Sequence, residues 1–127
     1  MLKTKSVYEP IHKEDGLRIL ATRFRGRRMK TNRYHVWMAN LGPSEKLLRE
    51  GGNNWRDFER LYKREILGDG KVDKVNKTIK NHGQKFTLRL ITALAKRGNV
   101  TLMCHCGKDE LQCHRHPLKR LIESKKI

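Results

Sequence analysis

A chain of 127 residues fits one domain, large enough to bury about two-thirds of the surface its unfolded form exposes. Thirty Lys and Arg against thirteen Asp and Glu leave a net charge of +17 and a pI near 10.3, a field that attracts polyanions such as nucleic acid. No apolar run reaches the ~18 residues that mark a membrane span, and Met1-Leu2-Lys3-Thr4-Lys5-Ser6 is no signal peptide, so a cytoplasmic protein without membrane attachment is expected.

Lys3 to Tyr8 reads as a short edge strand, closed by Glu9-Pro10 because Pro cannot donate to a continuing ladder. Asp15-Gly16 signals a turn before a second strand, Leu17 to Thr22. The stretch from Arg23 to Arg33 then carries six basic residues and no acid. Like charges this dense resist burial, which predicts an exposed loop. Tyr34 to Met38 fits a third strand, ended by Gly42-Pro43, and Ser44 caps a short helix running to Arg49.

After Gly51-Gly52, Asn53 or Asn54 caps a helix in which Trp55, Phe58, Leu61, Tyr62 and Ile66 recur at three- and four-residue steps. That spacing is one helical face. Gly68-Asp69-Gly70 ends it. Val72, Val75 and Ile79 mark a short basic helix ending near His82-Gly83, and Phe86, Leu90, Ile91 and Leu94 mark another, stopped by Gly98. Val100 to Cys104 is the last strand, and Pro117 opens the last helix. Trp37, Trp55, Phe58, Tyr62 and Phe86 are assigned to the core by their spacing. The pattern predicts a single α/β or α+β domain with a small sheet. A helix running directly into the final strand favours some parallel pairing.

All three cysteines, Cys104, Cys106 and Cys113, share the stretch between last strand and last helix with His105, His114 and His116. An odd number with a one-residue gap is a poor disulfide framework and suits thiols or metal ligands in a reducing compartment. The end of a strand before a helix N-terminus is also where α/β proteins place their chemistry. Cys104, Cys106, Cys113 and His116 would supply soft and borderline ligands for a tetrahedral zinc ion, although their spacing matches no standard zinc module. Cys104 equally suits a small buried hydrophobe at a strand end.

Cys113-His114-Arg115 supports a second chemistry, in which the thiol is activated and an oxyanion held. A phosphatase loop is excluded, because the position six after Cys104 is Glu110 and six after Cys106 is Gln112, where that loop requires Arg. The plainer alternative is that His114 and Arg115 cap a helix. A third feature is the basic loop, where Arg23, Arg25, Arg27, Arg28, Lys30 and Arg33 alternate with Phe24, Met29 and Tyr34. Arg forks suit phosphates, and an interleaved aromatic suits an exposed base. If the second and last strands are parallel neighbours, the Arg loop and the Cys/His loop share one rim.

The order of blocks carries a resemblance. Val7-Tyr8-Glu9-Pro10, Asp15-Gly16-Leu17-Arg18-Ile19-Leu20 and Thr22-Arg23 come first, then Trp37, Leu41-Gly42-Pro43-Ser44 and Leu47-Leu48-Arg49. Trp55-Arg56-Asp57-Phe58 and Tyr62-Lys63-Arg64-Glu65-Ile66-Leu67 follow, and Leu94-Ala95, Val100 to Cys104 and Cys113-His114-Arg115 close the set. Together they resemble the domain of unknown function 488, in its YeaO-like branch, over most of the chain apart from Gly68 to Lys85. The resemblance implies a compact single α/β domain with a small, largely parallel sheet flanked by helices, and it supplies no established activity. In the family an Arg-Gly turn preceded by an aromatic and Pro follows the second strand. Here Arg23 and Arg27 match, while Arg25, Gly26 and Arg28 replace the aromatic, Pro and Gly.

The leading expectation is a non-catalytic, nucleic-acid-associated domain holding phosphates through Arg23, Arg25, Arg27, Arg28, Lys30 and Arg33, with Arg115 and His114 across the rim. The alternative is a small enzyme or metal-binding protein using the Cys/His/Arg loop on a phosphate- or sulfur-containing substrate. In that case Cys113, His114 and Arg115 are the catalytic candidates and zinc the candidate cofactor.

Overall fold

The computed structural model describes residues 1–68, 82–124 and 127, with backbone alone at 82 and 83. Four strands, β1 (Leu2–Ser6), β2 (Leu17–Leu20), β3 (Val36–Trp37) and β4 (Val100–Cys104), form one sheet in the order β1-β4-β2-β3. Every pairing is parallel, with Leu2 to Ser6 opposite Val100 to Cys104 and Leu17 to Leu20 opposite Val100 to Met103. The last strand in sequence is therefore an interior strand, buried along its whole length. Covering on both faces explains why Val-Thr-Leu-Met-Cys lacks polar alternation. Its single polar side chain is satisfied, since Thr101 Oγ1 donates to the Asp15 carbonyl at 2.7 Å.

The described residues hold four α-helices, α1 (Glu45–Glu50), α2 (Trp55–Leu67), α3 (His82–Arg97) and α4 (Arg115–Glu123). Ser44 caps α1 by accepting from the Leu47 amide at 3.1 Å, and Gly51 ends it in the left-handed region at φ +66°. Of the two asparagines before α2, Asn54 is the cap, accepting from the Asp57 amide at 2.8 Å. The helix expected around Val72, Val75 and Ile79 lies outside the described residues, apart from its end at 82–83, which belongs to α3.

The two sheet faces differ in what covers them. Ile19, Val100 and Leu102 pack with Tyr62, Ile66, Leu88, Ile91, Leu118 and Ile122 in the main core beneath the helices. Leu20 and Met103, one residue further along their strands, point the other way. They form a smaller cluster with Val7, against which Met29 and Tyr34 of the basic loop pack. The loop is thus a cover for the second face and not a free turn.

Three core assignments are corrected. Phe86 is 61% exposed, and α3 turns Leu88 and Ile91 inward in its place. Leu90, assigned to the inward face with Ile91, lies outward as well. Two apolar stripes overlap on this helix, and packing against α2 and α4 selects one of them. Trp37 is 43% exposed because its strand has only two residues at the sheet edge, where its indole N–H donates to the Thr22 carbonyl at 2.8 Å. No described helix is long and apolar enough to cross a membrane.

Candidate functional site

Parallel pairing brings the C-terminal ends of β1, β4 and β2 to one rim. The ladder is extended there by the Val7 amide on the Cys104 carbonyl and the Ala21 amide on the Met103 carbonyl, both at 2.9 Å. The Cys/His loop leaves β4 between the two chains that leave β1 and β2. As expected from neighbouring parallel strands, the Arg loop and the Cys/His loop share this rim. His105 joins them. Its Nε2 donates to the Phe24 carbonyl at 3.0 Å, and a Cβ on Gly26 (φ +93°) would stand 3.2 Å from its ring.

Cys104, Cys106 and Cys113 converge, with all three sulfur atoms within 4.8 Å of one another. Cys104 and Cys113 are buried, Cys106 is half-buried, and none is in a disulfide. Cys113 Sγ donates to Cys104 Sγ at 2.9 Å, and Arg115 Nη1 donates to the same Cys104 sulfur at 3.0 Å. The Cys113 hydrogen bond first, and the Arg115 guanidinium after it, pull the Cys104 thiol down to about 6 against the cost of burial. The same hydrogen bond pushes Cys113 up, since its proton is the one donated, and burial adds to the effect. Cys106 is raised, chiefly by burial.

Arg115 is only 2% exposed, although it is the first residue of α4. Its Nη2 donates to the carbonyls of Gly107 at 3.1 Å and Lys108 at 3.0 Å, folding the loop back over the sulfurs. Its Nε is buried without a partner among the described residues. His114 donates from Nε2 to the Ala21 carbonyl, tying α4 to the end of β2, and its ring meets the Tyr62 ring edge-on at 5.7 Å. A carbonyl only accepts, so Nε2 carries the proton and Nδ1 is left with its lone pair, 4.0 Å from Cys113 Sγ. Burial, the leading cause, lowers the His114 pKa to about 4. His116 stands apart from the cysteines, its Nε2 on the Glu110 carbonyl at 3.0 Å.

The six basic residues of the loop divide by their partners. Arg23 donates to the carbonyls of Gly42 and Pro43, and Arg33 to those of Val7 and Glu9. Arg25 reaches the Tyr34 hydroxyl at 3.3 Å and the Met29 carbonyl at 3.5 Å. Arg27, Arg28 and Lys30 are exposed, and their side chains have no bonding partner among the described residues. These three line a cleft of about 470 Å³ with Tyr8, Gly26, Met29 and Arg33. Tyr8, 64% exposed, puts an aromatic face in the cleft beside the cations, and Phe24, 55% exposed, is a second exposed aromatic on the same loop as those cations. Tyr8 and Gly26 escape a reading by sequence, because nothing local distinguishes a strand-end tyrosine that meets a loop some twenty residues later.

A second cleft of about 470 Å³ lies between α2 and α4, but it contains both Glu59 and Arg120, which already pair at 2.8 Å. Among the described residues, the rim alone combines unpaired cations, exposed aromatics and clustered thiols. The fold and this rim define a small parallel α/β domain with a basic, thiol-bearing edge. Residues 2–126 match the model of DUF488-N3a, described as the active DUF488-N3 subclade, so the chain belongs to the DUF488 family, as the ordered blocks indicated. Membership of its YeaO-like branch is compatible with that match. Comparison with curated proteins and with solved structures gives no match.

Proposed function

We propose that this protein is a cytoplasmic, nucleic-acid-associated domain whose contact surface is the cleft between Tyr8 and the tip of the basic loop. The observation that carries the reading is the lining of that cleft, where Arg27, Arg28 and Lys30 are exposed and unpaired and no acid is present. Phosphates would lie on these three cations, and bases would stack on Tyr8 and Phe24, an arrangement suited to single strands. Arg23 and Arg33 serve the fold instead, since their guanidinium groups are occupied by backbone carbonyls. Binding of a labelled oligonucleotide at rising salt tests the reading. Steep weakening with salt, lost in the Arg27→Ala/Arg28→Ala/Lys30→Ala variant, is expected, and absence of binding at low salt would sink it.

A second reading makes the rim a zinc centre or a thiol enzyme centred on Cys113, His114 and Arg115. The convergence of three sulfurs favours the metal form. The enzyme form has less support, because Cys113 is buried, its proton is committed to Cys104, and Arg115 faces Cys104 and the loop carbonyls.

A further inference from the structure

A buried guanidinium without a carboxylate is costly, because charge taken out of water must be paired. Arg115 is such a group. Its partners are two loop carbonyls and the Cys104 sulfur, and no described acid bonds to it. The positive charge is therefore matched to the sulfur cluster. Three thiolates around a divalent ion leave one net negative charge, which one guanidinium cancels.

We propose that Cys104, Cys106 and Cys113 form a three-thiolate zinc site with Arg115 as its built-in counter-charge and its fourth coordination position open to an outside ligand. The inference rests on the metal form of the second reading and adds the coordination set, the counter-charge and the vacancy in the ligand set. Among the described residues no fourth Cys, His, Asp or Glu joins the cluster. The Nε2 atoms of the neighbouring histidines are engaged elsewhere, His105 on Phe24, His114 on Ala21 and His116 on Glu110, and His114 Nδ1, although 4.0 Å from Cys113 Sγ, does not lie within 4.8 Å of all three sulfurs. Cys106 is the half-exposed member, so metal and ligand enter on its side. Three protein ligands with an open position is the arrangement of zinc sites that bind and polarise a ligand, whereas structural sites close with four. Arg115 would donate to a coordinated sulfur, as outer-shell donors do, while its Nη2 bonds hold the loop that bears Cys106.

The test uses the full chain kept reduced, so that a Cys104–Cys113 disulfide cannot compete. Cobalt(II) serves as the spectroscopic stand-in, and zinc affinity is read by competition with a chromophoric chelator. One equivalent of cobalt should give thiolate charge-transfer and intense tetrahedral bands, displaced by zinc, and added imidazole should shift those bands. Cys106→Ser, at the half-exposed position, should weaken zinc binding at least tenfold without unfolding the chain. Arg115→Gln should weaken it about 10–100-fold, with Arg115→Lys restoring part of the loss. Absence of charge transfer would end the metal reading and leave Arg115 and Cys104 as a simple ion pair. Metal binding unaffected by Cys106→Ser would place the ion elsewhere and overturn the triad. Bands indifferent to imidazole would show a closed site and overturn the open position alone.

Discussion

Arg33 closes over the end of β1, with Nη2 donating to the Val7 and Glu9 carbonyls at 2.7 Å each and Nε adding a contact to Val7 at 3.1 Å. Val7 itself belongs to the small cluster with Leu20 and Met103, so this one side chain fastens the basic loop to the second face of the sheet. Arg33→Ala should lower stability by about 2 kcal/mol, since it removes hydrogen bonds from a charged donor to half-buried carbonyls. Arg28→Ala, at an exposed position without a partner, should stay within about 0.5 kcal/mol. Urea denaturation of the two variants checks the contrast. Equal stability would mean that the loop does not hold the sheet.

Nucleic-acid affinity should divide along the same line. Removing Arg27, Arg28 and Lys30 together deletes three phosphate contacts, which should lower the slope of log affinity against log salt by about 2 for a single strand. Replacing Arg25 instead should do less, because it is engaged with Tyr34 and Met29. Anisotropy titrations across a salt series give the slopes directly.

Tyr8 should contribute by stacking and not by charge. Tyr8→Ala is expected to cost about 1–3 kcal/mol in single-strand affinity while leaving the salt slope unchanged, and Tyr8→Phe should retain most of it. A slope that falls with Tyr8→Ala would argue that the tyrosine positions the cations.

Asp15 sets a pH dependence at the opposite end of the sheet. Its carboxylate bonds Lys5 Nζ at 3.0 Å through both oxygens and accepts from the His12 amide at 3.0 Å. Burial pushes its pKa up, but the His12 amide and the Lys5 ammonium together outweigh that and hold it below the ordinary 3.8. A depressed folded value means that the unfolded chain takes up the proton first. The contribution is present above pH 3.8 and fades as pH falls through the lower folded value. Thermal melts should show Asp15→Asn destabilised at pH 6, with the gap to the parent narrowing below pH 3.8. A constant gap would assign the loss to packing instead.

Caps and turns were legible from the chain alone because they depend on nearest neighbours. Ser44 and Asn54 accept from amides three residues on, and Gly51 supplies the left-handed residue that ends α1. The step from α3 into β4 likewise favoured parallel pairing, while the interior place of β4 in the sheet came only with the strand order. The Cys-rich loop was placed at a strand end for the same local reason.

What the tertiary structure alone decided is who meets whom. Six basic residues look alike in sequence, yet Arg23 and Arg33 are taken by backbone carbonyls of distant segments while Arg27, Arg28 and Lys30 remain free among the described residues. Phe86 and Leu88 are both apolar on one helix, and packing against α2 and α4 buries only Leu88. Cys104 and Cys113 stand nine positions apart, and their sulfurs meet because Arg115 draws the Gly107 and Lys108 carbonyls onto itself and folds the loop back. Local propensity depends on a residue and its neighbours along the chain. A guanidinium's partner, a helix's inward face and a cluster of thiols depend on long-range contacts, which no spacing in the sequence records.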